Sequence, residues 1–424
     1  MNVKIALLGC GTVGTQVARL LAEQNEVLSA RAGAKLDLIG IAVNNIDAPR
    51  DPAIDRSLLT TDTAGLIAKA DIVIELIGGI EPPRTLVQQA IAAGASVVTG
   101  NKALLASYGP EIYDAAKAAD VDVYYEAAVA GAVPVVYGMR ESLAGDRVTA
   151  IQGILNGTTN YILDEMTTKG LDYAEVLATA QELGYAEADP TADVDGLDAA
   201  AKIAILASLA FNTRVHLDDV AVEGIRSISA ADIKAATDAG YVIKLIATAN
   251  QRDGGVELRV NPALVPVSHP LASVSGSYNA VVIEGESAGR LMFYGRGAGG
   301  APTASAVLSD LVAAAAKKVS GGRAPHELVL GEVPFIKPQD FVSRYHIRLA
   351  VPDQVGVLSE ITETFANFGV SISAVIQTAA PSAGQAFLTV TTHLARQADL
   401  EATAEQLANI DGCEVVRILR VEED

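Results

Sequence analysis

The sequence predicts a chain of mixed class, α/β and then α+β. A doubly wound parallel sheet comes first, a mixed-sheet domain follows, and a small ferredoxin-like βαββαβ domain closes the chain. Three observations carry this reading. Apolar strands alternate with helical stretches over about the first 130 residues. A glycine turn, GCGTVG, stands between the first strand and the first helix. From Tyr345 onward, short strands and two amphipathic helices succeed one another in a compact order.

Taken in order, VKIALLG reads as a buried strand, and TVGTQVARLLAEQ as a helix with Val13, Val17, Leu20 and Leu21 near one face. LDLIGIAV, DIVIELIGG and ASVVTG are further strands, with TLVQQAIAAG between the last two as a helix. Residues 1–130 are therefore expected to form a dinucleotide-binding domain, completed by the glycine turn and helix of residues 296–320. Residues 131–295 change character: LNGTTNYIL, long Ala-rich helices, then the β-rich VELRVNPALVPV and YNAVVIEGES. The Gly- and Pro-containing stretch 321–343 reads as a connector, which makes 344–424 a separately folded unit.

Composition narrows the functional classes. With 424 residues the chain can bury more than one core. A net charge of -20 repels phosphate backbones and anionic lipid surfaces, and no basic patch offsets it, so neither nucleic acid nor membrane is an expected partner. Cys10 and Cys413 form no disulfide framework, and the N-terminal apolar run is too short for a signal peptide. A cytoplasmic enzyme is the expectation. The five histidines show no metal-ligand spacing.

Two stretches carry chemistry. Gly9, Gly11 and Gly14 form GxGxxG between a strand and a helix, which permits close approach of backbone to a pyrophosphate at a helix N-terminus. Glycine turns also serve packing alone, and the strand and helix on either side favour dinucleotide binding. Where the second strand ends, Asn44 and Asn45 stand in place of an acid, with Arg50 beyond, so a ribose hydroxyl and a 2′-phosphate both remain open. The other stretch, EADPTADVDGLDAAAK, places Asp198 and Lys202 four apart on one helix face. It reads either as a solvated acidic loop with a weak surface pair or as a proton-transfer pair, because the apolar helix around Lys202 would desolvate its amine. Asp193, Asp195 and Gly196 match the middle of a calcium loop, but Thr191 and Lys202 stand where that loop needs acids.

The motifs GCGTVG, DIVIELIGG, TGNKALLA, YYEAAVAGAVPVV, LNGTTNYIL, GYAEADPTADVDGLDAAAK and GRGAGGAPTA, in this order, resemble bacterial homoserine dehydrogenase over essentially the whole chain. The resemblance implies interconversion of L-homoserine and L-aspartate 4-semialdehyde with NAD or NADP, on the way to threonine and methionine. It also implies a Rossmann-type first domain and a homodimer or higher homo-oligomer built through the middle domain. The C-terminal domain resembles an ACT domain, a module that commonly binds amino acids, and threonine is the expected effector.

By the same resemblance, Lys202 is the general acid/base and Lys102 a second active-site lysine. Glu187 and Asp198 hold the substrate ammonium, and Tyr185 and Asp193 join the substrate site. The backbone from Asn156 through Gly157 and Thr158 to Thr159 is expected to receive the substrate carboxylate, although NGTTN also reads as a capped turn. The cofactor is expected along Gly9, Cys10, Gly11, Thr12, Val13 and Gly14. Asn44, Arg50, Gly78, Asn101, Lys102 and Gly299 complete that site. Glu126, Val129, Gly131 and Val133 resemble a site for a monovalent cation such as sodium. Asn44 departs from the arginine of many relatives, which weakens an expectation of strong NADPH preference. The rival readings are another Rossmann dehydrogenase, such as an aspartate dehydrogenase, and an inactive cofactor-binding regulator. Neither accounts for LNGTTNYIL, GYAEADP and both lysines together.

Overall fold

The computed structural model describes residues 1–324, 327, 329–331, 333–380 and 384–422. Parts of the expected connector and C-terminal domain, residues 325, 326, 328, 332, 381–383, 423 and 424, lie outside the described residues.

The first unit runs β1 (Asn2–Leu8), α1 (Thr12–Glu23), α2 (Asn25–Ala32), β2 (Lys35–Ala42), β3 (Leu59–Thr60), α3 (Thr63–Ile67), β4 (Ile72–Glu75), α4 (Pro83–Ala92), β5 (Ser96–Thr99), α5 (Lys102–Ala118) and β6 (Val123–Tyr124). Its six strands pair in the order β3-β2-β1-β4-β5-β6, each pair parallel. The near-continuous apolar runs are explained by this: β1, β4 and β5 are covered on both faces. The chain order reverses between β1 and β4, and a ligand crevice opens at the carboxyl ends of strands at such a switch point.

The middle unit follows with α6 (Val135–Tyr137), β7 (Val148–Ile154), α7 (Gly157–Lys169), α8 (Tyr173–Glu182), α9 (Thr191–Val194), α10 (Leu197–Phe211), β8 (Ala221–Val222), α11 (Ala230–Asp238), β9 (Tyr241–Arg252), β10 (Gly255–Pro266), β11 (Tyr278–Gly285) and β12 (Gly289–Arg296). Then α12 (Gly300–Ser320) returns to the first unit: its Ala304, Val307 and Leu311 share a core with Ile5, Leu7 and Val17.

The last unit comprises β13 (Val342–Pro352), α13 (Val357–Asn367), β14 (Ile372–Ala379), β15 (Gln385–Thr392), β16 (Ala395–Arg396), α14 (Gln397–Leu407) and β17 (Glu414–Val421). It has its own core around Ile347, Leu349, Phe365 and Leu388, yet it is not a detached module. Its strand β17 pairs in parallel with β10, so one sheet of eleven strands runs through both units, from β12 to β14. The junction is sealed by buried charge. Arg259 donates to Glu422 at 2.9 Å and to Glu257 at 2.8 Å, and Gln152 donates to Glu422 at 2.9 Å. This differs from the self-contained C-terminal unit that the connector suggests, because strand pairing joins backbone and leaves no mark in side-chain periodicity.

Candidate active site

The nucleotide end of the site is built by the first turn. Gly9 has φ +97°, and a Cβ on Gly14 would lie 2.2 Å from the Gly9 carbonyl oxygen, so helix α1 can start this close to β1 only with glycine there. A Cβ on Gly11 would meet no atom within 4 Å, which leaves open space over the turn. The N-terminus of α1 has no side-chain cap, so the first N–H groups at Thr12 and Val13 face that space with their positive dipole end. Cys10 is half-buried beside Thr15, and its carbonyl accepts from Arg50 Nη1 at 3.1 Å. Arg50 also donates to the Asn45 carbonyl at 2.9 Å, while Asn44 is exposed. Gly299, at the N-terminus of α12, lies close by: a Cβ on Gly300 would sit 3.1 Å from the Thr12 carbonyl. Pyrophosphate and helix N-terminus thus have a place to meet.

The chemical end of the site stands on two helices from different units. Lys102 is the first residue of α5, whose N-terminus Asn101 caps by accepting from Leu104 N at 3.1 Å. Lys202 lies one turn after Asp198 on α10, among Ala199, Ala200, Ala201 and Ala204, whose small side chains let this helix sit inside the core. The Lys202 ammonium donates to Asp198 Oδ2 and to the Leu155 carbonyl, each at 2.7 Å. Asp198 Oδ1 pairs with Lys102, so one carboxylate bridges both lysines. Asn156 Nδ2 adds a third donor, 2.8 Å from Asp198 Oδ2, and reaches Asp193 Oδ1 at 2.7 Å.

Electrostatics follows from that geometry. Burial alone would raise the Asp198 carboxyl, but the Lys202 and Lys102 ammonium groups overcome it and hold it below the usual carboxylate range. Burial pushes the Lys202 ammonium down, against the pull of Asp198, and the positive charge of Lys102 adds to the lowering. Asp193 is raised by burial. A buried amine with a lowered pKa and a half-exposed partner lysine is an arrangement that can pass a proton to an alkoxide.

The remaining expected residues divide. Thr158 donates to the Tyr185 carbonyl at 2.7 Å, and the Tyr185 ring packs 4.8 Å from Tyr161, so both lie against the start of α7. The N–H of Thr159 is taken by Asn156 Oδ1 at 2.8 Å, which narrows the expected anion donors to Gly157 and Thr158, the first two residues of the helix. Glu187 is exposed, and only its backbone carbonyl, accepting from Gln181, has a hydrogen bond among the described residues. Gly78 and Gly79 lie in the loop after β4, and Asn101 Nδ2 donates to the Gly79 carbonyl at 2.7 Å. Glu126 is buried, accepting from Val136 N at 3.0 Å and Tyr137 N at 2.7 Å; burial pushes its carboxyl up to about 7. Val129, Gly131 and Val133 form the turn between Glu126 and α6, and the Val133 carbonyl accepts from Val135 N at 2.8 Å.

Four site residues escaped sequence reading. The Leu155 carbonyl cannot be foreseen from composition. Asp310 on α12 accepts from Glu126 N at 2.9 Å, and Glu75 and Thr99 tie the β4 loop to α5. Lone acids in apolar segments, IVIE and AVLSDLV, were the signals for Glu75 and Asp310.

No helix among the described residues is long and apolar enough to cross a membrane. Residues 9–126 match the family model of the homoserine dehydrogenase NAD binding domain, residues 134–312 that of homoserine dehydrogenase, and residues 345–412 that of the ACT domain. The chain is 54% identical to homoserine dehydrogenase of Corynebacterium glutamicum, covering 96% of this chain and 92% of the relative. It is 49% identical to the enzyme of Mycobacterium tuberculosis, over 99% and 98%. The crystal structure of a homoserine dehydrogenase from Thiobacillus denitrificans superposes with a TM-score of 0.94 at 38% identity, covering 100% and 99% of the two chains. A hyperthermophilic archaeal homoserine dehydrogenase in complex with NADPH matches with a TM-score of 0.64 at 25% identity, over 77% of this chain and 100% of that one. Glycine turn, paired lysines, relatives and solved structures agree that this chain belongs to the homoserine dehydrogenase family.

Proposed function

We propose that Lys202 is the proton donor and acceptor in the NAD(P)-dependent interconversion of L-aspartate 4-semialdehyde and L-homoserine, with Lys102 as its partner. The observation that supports this most is the single buried carboxylate, Asp198, that holds both ammonium groups at the meeting of α5 and α10. When bound, the nicotinamide supplies or removes the hydride. As an aldehyde is reduced, negative charge grows on its oxygen; Lys102 and Lys202 stabilise it, and Lys202 delivers the proton. In the reverse direction Lys202, its amine kept low by burial, takes the hydroxyl proton. Glu187 and Asp198, the latter joined to Asp193 through Asn156, provide the negative side of the site for the substrate ammonium, and the start of α7 at Gly157 and Thr158 the positive side for its carboxylate.

The open space over Gly11 and the uncapped N-terminus of α1 fit a dinucleotide pyrophosphate. Asn44 neither attracts nor repels a 2′-phosphate and Arg50 is held within the adjoining loop, so both NAD(H) and NADP(H) serve as cofactors. The buried Glu126 carboxyl, with the buried Asp310 accepting from Glu126 N, suits a monovalent cation such as sodium, held with carbonyls of Val129, Gly131 and Val133. Such an ion would brace the turn between the nucleotide and substrate units. The edge strand β12, with exposed Met292 and Tyr294, supports pairing of the middle unit into a homodimer. The uncapped start of α13 after Gly356 supports a free amino acid, threonine, as effector. The chain is assayed with homoserine, and separately with aspartate, plus NAD+ or NADP+, at the reduced nicotinamide band. Reduction of both cofactors by homoserine, with specificity constants within about a thousandfold of each other, is the expected result. Activity with aspartate alone would overturn it.

A further inference from the structure

Glu75 ends β4 at the switch point of the first sheet, and it is 0% exposed. None of the ion pairs among the described residues includes it, so its burial is offset by hydrogen bonds instead. Oε1 accepts from the N–H of Ile77 at 2.8 Å and of Gly78 at 3.3 Å. Oε2 accepts from the Thr99 hydroxyl at 2.7 Å. The Thr99 oxygen accepts in turn from Asn101 N at 3.0 Å, and Asn101 caps α5 and donates to the Gly79 carbonyl at 2.7 Å. These contacts close a ring: carboxylate, β4 loop, Asn101, Thr99, carboxylate. The ring touches both halves of the site. The β4 loop presses on the first turn, where a Cβ on Gly9 would lie 2.8 Å from the Leu76 carbonyl oxygen. The residue after Asn101 is Lys102.

A carboxylate is acceptor only, and that fixes the direction of every bond in the ring. Because Thr99 must donate to Glu75, its lone pairs face Asn101 N. A glutamine can accept on one side only; its amide would face either two N–H groups or a hydroxyl already receiving one.

We infer that Glu75 is a positioning residue whose buried carboxylate sets the β4 glycine loop and Lys102 together, coupling cofactor binding to placement of the lysine. The inference rests on the catalytic role proposed for Lys102. Glu75→Gln is expected to weaken NADPH binding, read from the cofactor's own fluorescence, by about tenfold. It lowers kcat by up to roughly a hundredfold, the scale of an ångström's misplacement. Thr99→Val reproduces both losses and Thr99→Ser restores them, so the test survives if Glu75→Gln fails to fold. In a Lys102→Met background, Glu75→Gln removes little further turnover yet still weakens NADPH. A lowered melting temperature with parental NADPH affinity and parental kcat would overturn the inference, and so would full additivity with Lys102→Met. If Lys102→Met alone turns over like the parent, the proposed role of Lys102 falls, while the NADPH titration still decides whether Glu75 holds the loop.

Discussion

Replacing Asp198 by Asn removes the one charge that holds Lys102 and Lys202 together while keeping the side chain's shape. The Lys202 ammonium lies 2.7 Å from Asp198 Oδ2, with both side chains under 10% exposed at 9% and 4%. Coulomb attraction at that distance is about 6 kcal/mol at an effective dielectric constant of about 20. Desolvation already set against it leaves a loss of about 3–5 kcal/mol when such a pair is broken from one side. The Lys102 pair adds little, since that lysine is 43% exposed and screened by water. Asp198 is held below its ordinary pKa, so its contribution is complete above the unfolded-state value of about 4 and is lost as pH falls through the lower folded value. Urea unfolding should therefore show a parent-minus-variant gap that is full near pH 5 and closes in stronger acid, as the Asp198 carboxyl takes up its proton. Turnover has a matching consequence. Lys202, already lowered by burial, loses the group that supports its charge, so the ammonium proposed to serve semialdehyde reduction is given up at a lower pH than in the parent. A fall in kcat of about a hundredfold or more is expected, with the remaining activity moved toward lower pH. Stability within about 1 kcal/mol of the parent, together with an unmoved pH profile, would refute the reasoning.

Glu187→Gln should raise the KM for homoserine more than it lowers kcat, because a carboxylate that holds an ammonium serves ground and transition states alike; steady-state rates against homoserine concentration check this. Lys244 is buried, donating to Asn160 Oδ1 at 3.0 Å and to the Val274 carbonyl at 2.7 Å, and burial pushes its ammonium down to about 8 from 10.5. The unfolded chain then holds more protons between those values, so this residue's contribution to stability rises with pH there. Lys244→Met should look most favourable below pH 8, its advantage shrinking by about 2 kcal/mol by pH 10, as urea titrations at both ends would show. A chain ending at Pro338 loses β17 and Glu422, exposing the β10 edge and leaving Arg259 without that partner, so its melting temperature should fall and its response to threonine vanish. Equal melting temperatures would show that the shared sheet contributes no stability.

Much of this was legible in the sequence. The alternation of apolar strands with helices marked the parallel sheet, and GxGxxG marked the first turn, because both depend on contacts between near neighbours. Asp198 and Lys202 were legible for the same reason, being one helical turn apart. Their link to Lys102, 96 positions before Asp198, became visible only as a resemblance between motifs and then as an ion pair. The β10 and β17 junction gave no sign, since backbone pairing across 157 positions, Ala263 to Arg420, has no pattern of its own. Glu75 shows the intermediate case. An acid closing an apolar strand signals a partnered buried group, but only the fold shows that its partners are the glycine loop and Thr99.

The most direct test of the central claim compares Lys202→Ala with the parent in homoserine oxidation, with NADP+ affinity measured alongside. In its proposed role Lys202 transfers the proton, and its ammonium donates to Asp198 and the Leu155 carbonyl rather than to the glycine turn, so kcat should fall by about two orders of magnitude or more while cofactor affinity stays within a fewfold. Turnover within a fewfold of the parent would contradict the assignment.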